Sequence, residues 1–129
     1  MNNLRLLLVD DEEEFASTLA HRLQIRGYPT GVAVDGEEAL NLLANNIYDV
    51  MVLDLMLPGL SGLDVLQQVK QQYPDLPVIM LTGQGSTREG LAGMRFGAFD
   101  FLMKPVDLDE LITKITEAVP HRRAHGDDR

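Results

Sequence analysis

Runs of apolar residues alternate with amphipathic stretches five times along this chain, and no repeat or low-complexity tract interrupts them. The apolar runs at 4–9, 29–34, 49–53, 77–81 and 100–103 predict five strands. The first, third and fourth are almost unbroken Leu, Val, Ile and Met, the pattern of parallel strands covered on both faces. The second carries Thr30 and Gly31 and the fifth Asp100, which predicts that these two lie at the edges.

The intervening stretches have helical spacing. Leu108, Leu111, Ile112, Ile115 and Val119 form one stripe, and Phe15, Leu19 and Leu23 mark the first helix. Asp107 with Glu110, Ser86 with Glu89, Ser61 with Asp64 and Asp35 with Glu38 are spaced as capping boxes at helix starts. Pro120 ends the last helix, so residues 1–119 are expected to form one domain and 120–129 a polar tail or linker stub.

Strict strand–helix alternation implies a doubly wound α/β fold, a flavodoxin-like (βα)5 arrangement with helices on both faces of a parallel sheet. Right-handed crossovers, with strands 2 and 5 at the edges, select the order 2-1-3-4-5. In such sheets a ligand binds beyond the carboxyl ends of the strands, near the switch point between strands 1 and 3.

Composition narrows the function without naming it. A chain of 129 residues, 45% hydrophobic and 24% charged, suits a single globular domain. It has no cysteine, which excludes disulfides, thiolate chemistry and cysteine-ligated metal. A formal net charge of −9 argues against direct nucleic-acid binding. No apolar run is long enough to span a bilayer and no secretory signal is present, so a cytoplasmic location is expected.

The strand ends carry the candidate chemistry. Asp10 and Asp11 follow the first strand, with Glu12 next, and Asp54 follows the third; Thr82 and Gly83 follow the fourth, and Lys104 and Pro105 the fifth. Carboxylates gathered on one rim repel, so either one pKa rises or a divalent cation neutralises the cluster. An acidic, all-oxygen site suits magnesium with a phosphate partner. A carboxylate can act as nucleophile toward phosphorus, while a lysine, a hydroxyl and a metal stabilise the phosphoryl oxygens. Each residue alone has a structural reading: Asp10 or Asp11 as a helix cap, Asp54 as a turn residue, Thr82 as part of a Thr-Gly turn, Lys104 as an exposed lysine. Their joint occurrence at four strand ends favours chemistry.

Leu-Val-Asp-Asp-Glu at 8–12, Leu-Asp-Leu-Met-Leu-Pro-Gly at 53–59, Leu-Thr-Gly at 81–83 and Met-Lys-Pro at 103–105 resemble, in order and spacing, the CheY-like receiver domains of two-component response regulators. The resemblance runs to about Val119. It implies that Asp54 accepts a phosphoryl group from a phosphohistidine on a sensor histidine kinase or histidine phosphotransfer protein. Asp11, Asp54 and the backbone carbonyl of Met56 would hold Mg2+, or Mn2+ in its place, with Asp10 contributing through water. Lys104 would pair with the phosphate through a cis bond to Pro105, Thr82 would swing toward the phosphoryl oxygens, and Phe101 occupies the aromatic switch position.

By the same resemblance the chain is a phosphorylated bacterial signalling protein rather than an enzyme, promoting its own phosphotransfer and slow self-dephosphorylation. Met56 and Gln84 would flank the path of the hydrolytic water; Met56 cannot orient it by hydrogen bonding, whereas Gln84 can, so neither a very fast nor a frozen decay is expected. The face of helix 4, strand 5 and helix 5, including Arg88, Arg95 and Asp100, would face an output domain or target protein and support a phosphorylation-linked homodimer. Within helix 4, roughly 86–96, Gly90 and Gly93 suggest either a weak two-state element or close packing on the sheet.

Two enzyme or cofactor readings fit less well. A haloacid-dehalogenase-type phosphatase places its nucleophile after the first strand with a second Asp two residues later, and here Met56 stands two past Asp54. A flavodoxin needs a Ser-, Thr- and Gly-rich phosphate loop after strand 1, where this chain has three acids. A receiver-like interaction module that is never phosphorylated remains the alternative.

Overall fold

The computed structural model describes residues 4–83 and 87–119. Gln84, Ser86 and the tail expected at 120–129 lie outside the described residues. Five strands and five helices alternate along the chain: β1 (Leu6–Val9), α1 (Glu13–Ile25), β2 (Thr30–Ala33), α2 (Gly36–Asn45), β3 (Val50–Asp54), α3 (Gly62–Gln72), β4 (Val78–Thr82), α4 (Thr87–Arg95), β5 (Asp100–Met103) and α5 (Leu108–Ala118). All strand pairs are parallel, in the order β2-β1-β3-β4-β5 that the sequence predicts.

The period of two along each strand divides the core into two layers. Leu6 and Leu8 of β1, Val50 and Val52 of β3, and Ile79 and Leu81 of β4 meet Leu19, Leu23, Leu111 and Ile115 from α1 and α5. The alternate residues Leu7, Val9, Met51, Leu53, Val78 and Met80 meet Leu43, Val65, Leu66 and Val69 from α2 and α3. Every residue of β1, β3 and β4 is buried, which is why their sequences show no polar alternation.

Three predicted caps form as expected. The side chains of Asp35, Ser61 and Asp107 accept from the backbone N–H groups of Glu38, Asp64 and Glu110 at 2.8, 3.1 and 3.1 Å. Each satisfies an amide that the first helical turn leaves without an intrahelical partner. Helix α1 differs: Glu12 is its N-cap, in extended conformation and with no side-chain cap. Asp10, expected as one candidate cap, instead accepts from the Glu12 backbone N–H at 2.9 Å.

The two glycines of α4 serve close packing. A Cβ on Gly90 would stand 2.8–3.0 Å from three carbons of the Phe101 ring, and one on Gly93 would collide with the Met80 thioether. Gly97, just past the helix, has φ +105°, a conformation that favours glycine and ends the helix. Among the described residues no helix is long and apolar enough to cross a membrane.

Candidate functional site

The sheet register builds the site. Val9 pairs with Leu53, so the residues that follow, Asp10 and Asp54, leave neighbouring strands side by side. Asp54 pairs with Leu81 and Thr82 with Met103, which brings Thr82 and Lys104 to the same rim. The Lys104 backbone N–H donates to the Thr82 carbonyl at 2.7 Å and fixes the start of the β5–α5 loop, where the Lys104–Pro105 bond is cis as expected.

Lys104 is the hub. Its ammonium donates to Asp10 Oδ2 at 2.9 Å, Glu12 Oε1 at 3.0 Å and Asp54 Oδ2 at 3.3 Å, using all three of its donors. The other oxygen of Asp54, Oδ1, accepts from the Met56 backbone N–H at 3.1 Å. The Asp54 carboxylate is thus held at both oxygens while only 3% of the residue is exposed. Thr82 is fully buried, and its hydroxyl donates to the Leu102 carbonyl on β5 at 3.5 Å.

Burial holds the Asp54 carboxyl above the ordinary aspartate range, since removing a carboxylate from water disfavours its charged form. The Met56 amide opposes this, the nearby Asp10 charge reinforces it, and Lys104 opposes it. For Lys104, burial disfavours the ammonium, but hydrogen bonds to Asp10 and Glu12 and the charges of Asp54 and Asp10 outweigh it and raise the pKa. Lys104 is therefore a fixed positive charge, not a proton donor, at neutral pH.

Carboxylate oxygens of Asp10, Glu12 and Asp54 lie within 4.8 Å of one another. With one lysine among them, these acids retain excess negative charge, and a hard cation taking oxygen ligands fits that donor set. The trio differs from the metal set that the resemblance implies. Glu12 is among the three and Asp11 is not, and both are exposed. Lys104 gathers Asp10 and Glu12 by donating to both, whereas Asp11 lies at a bend between them.

The remaining expected residues are placed as follows. Met56 is exposed beside Asp54. Phe101 is half-buried on β5 with its ring against Gly90. Arg88 and Arg95 are exposed on α4, while Asp100 is ion-paired to Lys114 of α5 at 2.7 Å. One contact was not expected from the sequence at all: the Lys104 ammonium also lies over the Phe15 ring, 4.4 Å from its centroid.

The chain as a whole is similar to known proteins. Residues 6–116 match the response regulator receiver domain family. The response regulator MprA of Mycobacterium sp. (strain KMS) is 43% identical over 112 residues, covering 87% of this chain and 49% of that protein. The chain therefore spans about half the length of the curated relatives it matches. Among solved structures, the receiver domain of the Francisella response regulator 1452 superposes with a TM-score of 0.83 at 37% identity, covering 90% of this chain and 96% of that one. The receiver domain of NtrX from Brucella abortus gives 0.86 at 35% identity, covering 90% and 98%. With its sheet order, its buried strand-end aspartate and its rim lysine all in the expected places, the chain belongs to the response regulator receiver domain family.

Proposed function

We propose that Asp54 is the phosphoacceptor of a signalling switch, taking a phosphoryl group from a phosphohistidine on a sensor histidine kinase or histidine phosphotransfer protein. The carrying observation is the geometry of Asp54 itself, buried at the end of β3, with one oxygen anchored by the Met56 amide and the other facing Lys104. In the transfer a lone pair of an Asp54 carboxylate oxygen forms the new O–P bond as the donor's N–P bond breaks, and the imidazole keeps that electron pair. Lys104, permanently charged, turns from its carboxylates to the phosphoryl oxygens, where it neutralises charge that builds in the transition state. Thr82 exchanges its long bond to the Leu102 carbonyl for one to a phosphoryl oxygen.

Asp54, Asp10 and Glu12, with Asp11 and the Met56 carbonyl at the mouth, are the groups that would hold Mg2+ or Mn2+. Such an ion would neutralise phosphoryl charge alongside Lys104. The domain promotes its own phosphotransfer and a slow self-dephosphorylation, in which exposed Met56 offers the hydrolytic water no hydrogen bond. The readout is a change at α4, β5 and α5, whose exposed Leu91, Met94 and Met103 suit an output domain, a target protein or a second phosphorylated copy.

Treating the chain with acetyl phosphate and magnesium and weighing the intact protein tests the proposal. One phosphoryl group is expected on the wild type and none on Asp54→Ala. An unmodified wild type would return the chain to the reading of an interaction module that is never phosphorylated, and an Asp54→Ala variant that is still modified would put the acceptor at another residue.

A further inference from the structure

Resting on the phosphoacceptor reading of Asp54, we propose that Phe15 is a positioning residue for phosphotransfer, its ring holding the Lys104 ammonium at the rim. Phe15 lies on α1, half-buried against the core layer formed with α5, and the ammonium sits over its ring at 4.4 Å from the centroid. A ring face carries partial negative charge and attracts a cation at this range.

What distinguishes the ring is its chemistry beside that of the other partners. Lys104 has three hydrogen-bond acceptors, all carboxylates: Asp10, Glu12 and Asp54. An arriving cation competes for the same oxygens, and phosphorylation converts one of them into a phosphoester. The Glu12 side chain is 64% exposed and is a weak tether in water. Phe15 alone, among the described partners of the ammonium, has no oxygen for a metal ion to ligate or a phosphoryl group to bond. It keeps the flexible four-carbon stem of Lys104 aimed at the rim while the carboxylates change partners. An aliphatic side chain at this position would fill space but would not attract the charge.

Replacing Phe15 in the full chain by mono-, di- and trifluorinated phenylalanine tests this, because fluorine drains the ring face while nearly preserving its shape. A cavity of ≈ 370 Å³ lined by Phe15, Leu19, Arg22 and Val106 leaves room for the added atoms. The rate of Asp54 phosphorylation by acetyl phosphate is expected to fall stepwise with fluorine number, by about 5-fold at the third, while thermal stability stays level. Phe15→Leu should lose at least as much and Phe15→Tyr should keep the wild-type rate.

A second readout needs neither metal nor turnover: the Lys104 ε-methylene protons should be shifted upfield by the ring in the metal-free protein and move downfield in Phe15→Leu. A rate independent of fluorine number, or Lys104 protons that Phe15→Leu leaves unmoved, overturns the proposal while leaving the phosphoacceptor reading intact. Absence of phosphorylation on the wild type defeats that reading instead, and the proton shifts still report whether the ring holds the ammonium.

Discussion

Lys104→Met keeps most of the lysine stem and removes its charge, so it isolates the electrostatic role of the hub. In the wild type the ammonium faces Asp10 at 2.9 Å and Asp54 at 3.3 Å, with side-chain exposures of 0% and 5%, and Glu12 at 3.0 Å with 64%. At an effective dielectric constant of about 20, the first two attractions are each roughly 5–6 kcal/mol before desolvation is subtracted. Breaking a buried pair by removing one partner typically costs about 3–5 kcal/mol, because the other charge is left buried and alone. The exposed Glu12 pair adds less than about 1 kcal/mol. Lys104 is itself 20% exposed, which favours the lower end, a loss of ~3 kcal/mol in metal-free urea titrations at neutral pH. The loss should shrink as pH falls. The lysine's own raised pKa makes its contribution present throughout the neutral and acid range and lost only in strong alkali. The change in acid therefore comes from Asp54, whose raised pKa lets it take up a proton and cease to need a counter-charge. A loss below about 1 kcal/mol, or one equal at about pH 4 and pH 7, would refute the view that Lys104 is the counter-ion of a buried acidic pair.

The opposite perturbation should stabilise. Asp54 has its folded pKa raised, so its contribution is fully present below its unfolded pKa and is lost as pH rises through the folded value. Asp54→Asn is accordingly expected to exceed the wild type by ~1 kcal/mol in metal-free thermal melts at pH 7, with the gap closing in acid, and a less stable variant at pH 7 contradicts this. Gly62→Ala places a Cβ on the Leu55 Cα and 2.8 Å from the carbonyl oxygens of Asp54 and Leu55, backbone that cannot step aside. It should lower stability by roughly 3 kcal/mol and slow phosphorylation by acetyl phosphate, and a wild-type melt would show that the β3–α3 junction has slack. Gly90→Ala meets only the Phe101 ring, so a crystal structure should show that ring turned away from α4, and an unmoved ring contradicts the packing described. Asp100, on the exposed face, keeps a depressed pKa despite burial that opposes it, through its bonds to Lys114 and the Phe101 amide. Its contribution is present above the unfolded pKa and lost as pH falls through the folded one, so Asp100→Asn should cost about 0.5–1 kcal/mol near pH 7 and nothing in strong acid.

The sheet order was legible because burial wrote it into the chain: β1, β3 and β4 are buried at every position, and the two strands with partly exposed positions lie at the edges. The rim was legible for the same reason, since a parallel sheet sends the ends of all its strands to one side. Strand limits shifted by a residue or two where a polar group finds a different partner. Asp49, expected to open the third strand, instead accepts from the Arg5 backbone N–H at 2.8 Å, and Asp54 is the last residue of β3 rather than the first beyond it. Glu12 was harder to read. Three acids in a row look alike in sequence, and it is Lys104, far along the chain, that picks out the first and third. Phe15 left no signal beyond its place on the apolar stripe, because the partner over its ring is 89 positions away and arrives through the β5–α5 loop.

Helix α4 shows how sequence can leave two physical readings level and structure can separate them. Two interior glycines weaken any helix by roughly 1 kcal/mol each, which by itself permits either a labile element or a tightly seated one. Here both glycines face side chains that leave no room for a methyl group: Phe101 of β5 against Gly90, and Met80 of β4 against Gly93. Met80 and Phe101 are register partners on adjacent strands, two residues before Thr82 and three before Lys104 respectively. The helix is therefore seated on the same two strands whose ends carry the hydroxyl and the ammonium of the site. With no slack at either contact, a displacement of those strand ends would be passed to α4 as a shift of the helix rather than absorbed by a cavity, because close-packed contacts do not deform continuously. Helix propensity sacrificed at Gly90 and Gly93 thus brings the face proposed for output into direct contact with the strands whose ends carry Thr82 and Lys104.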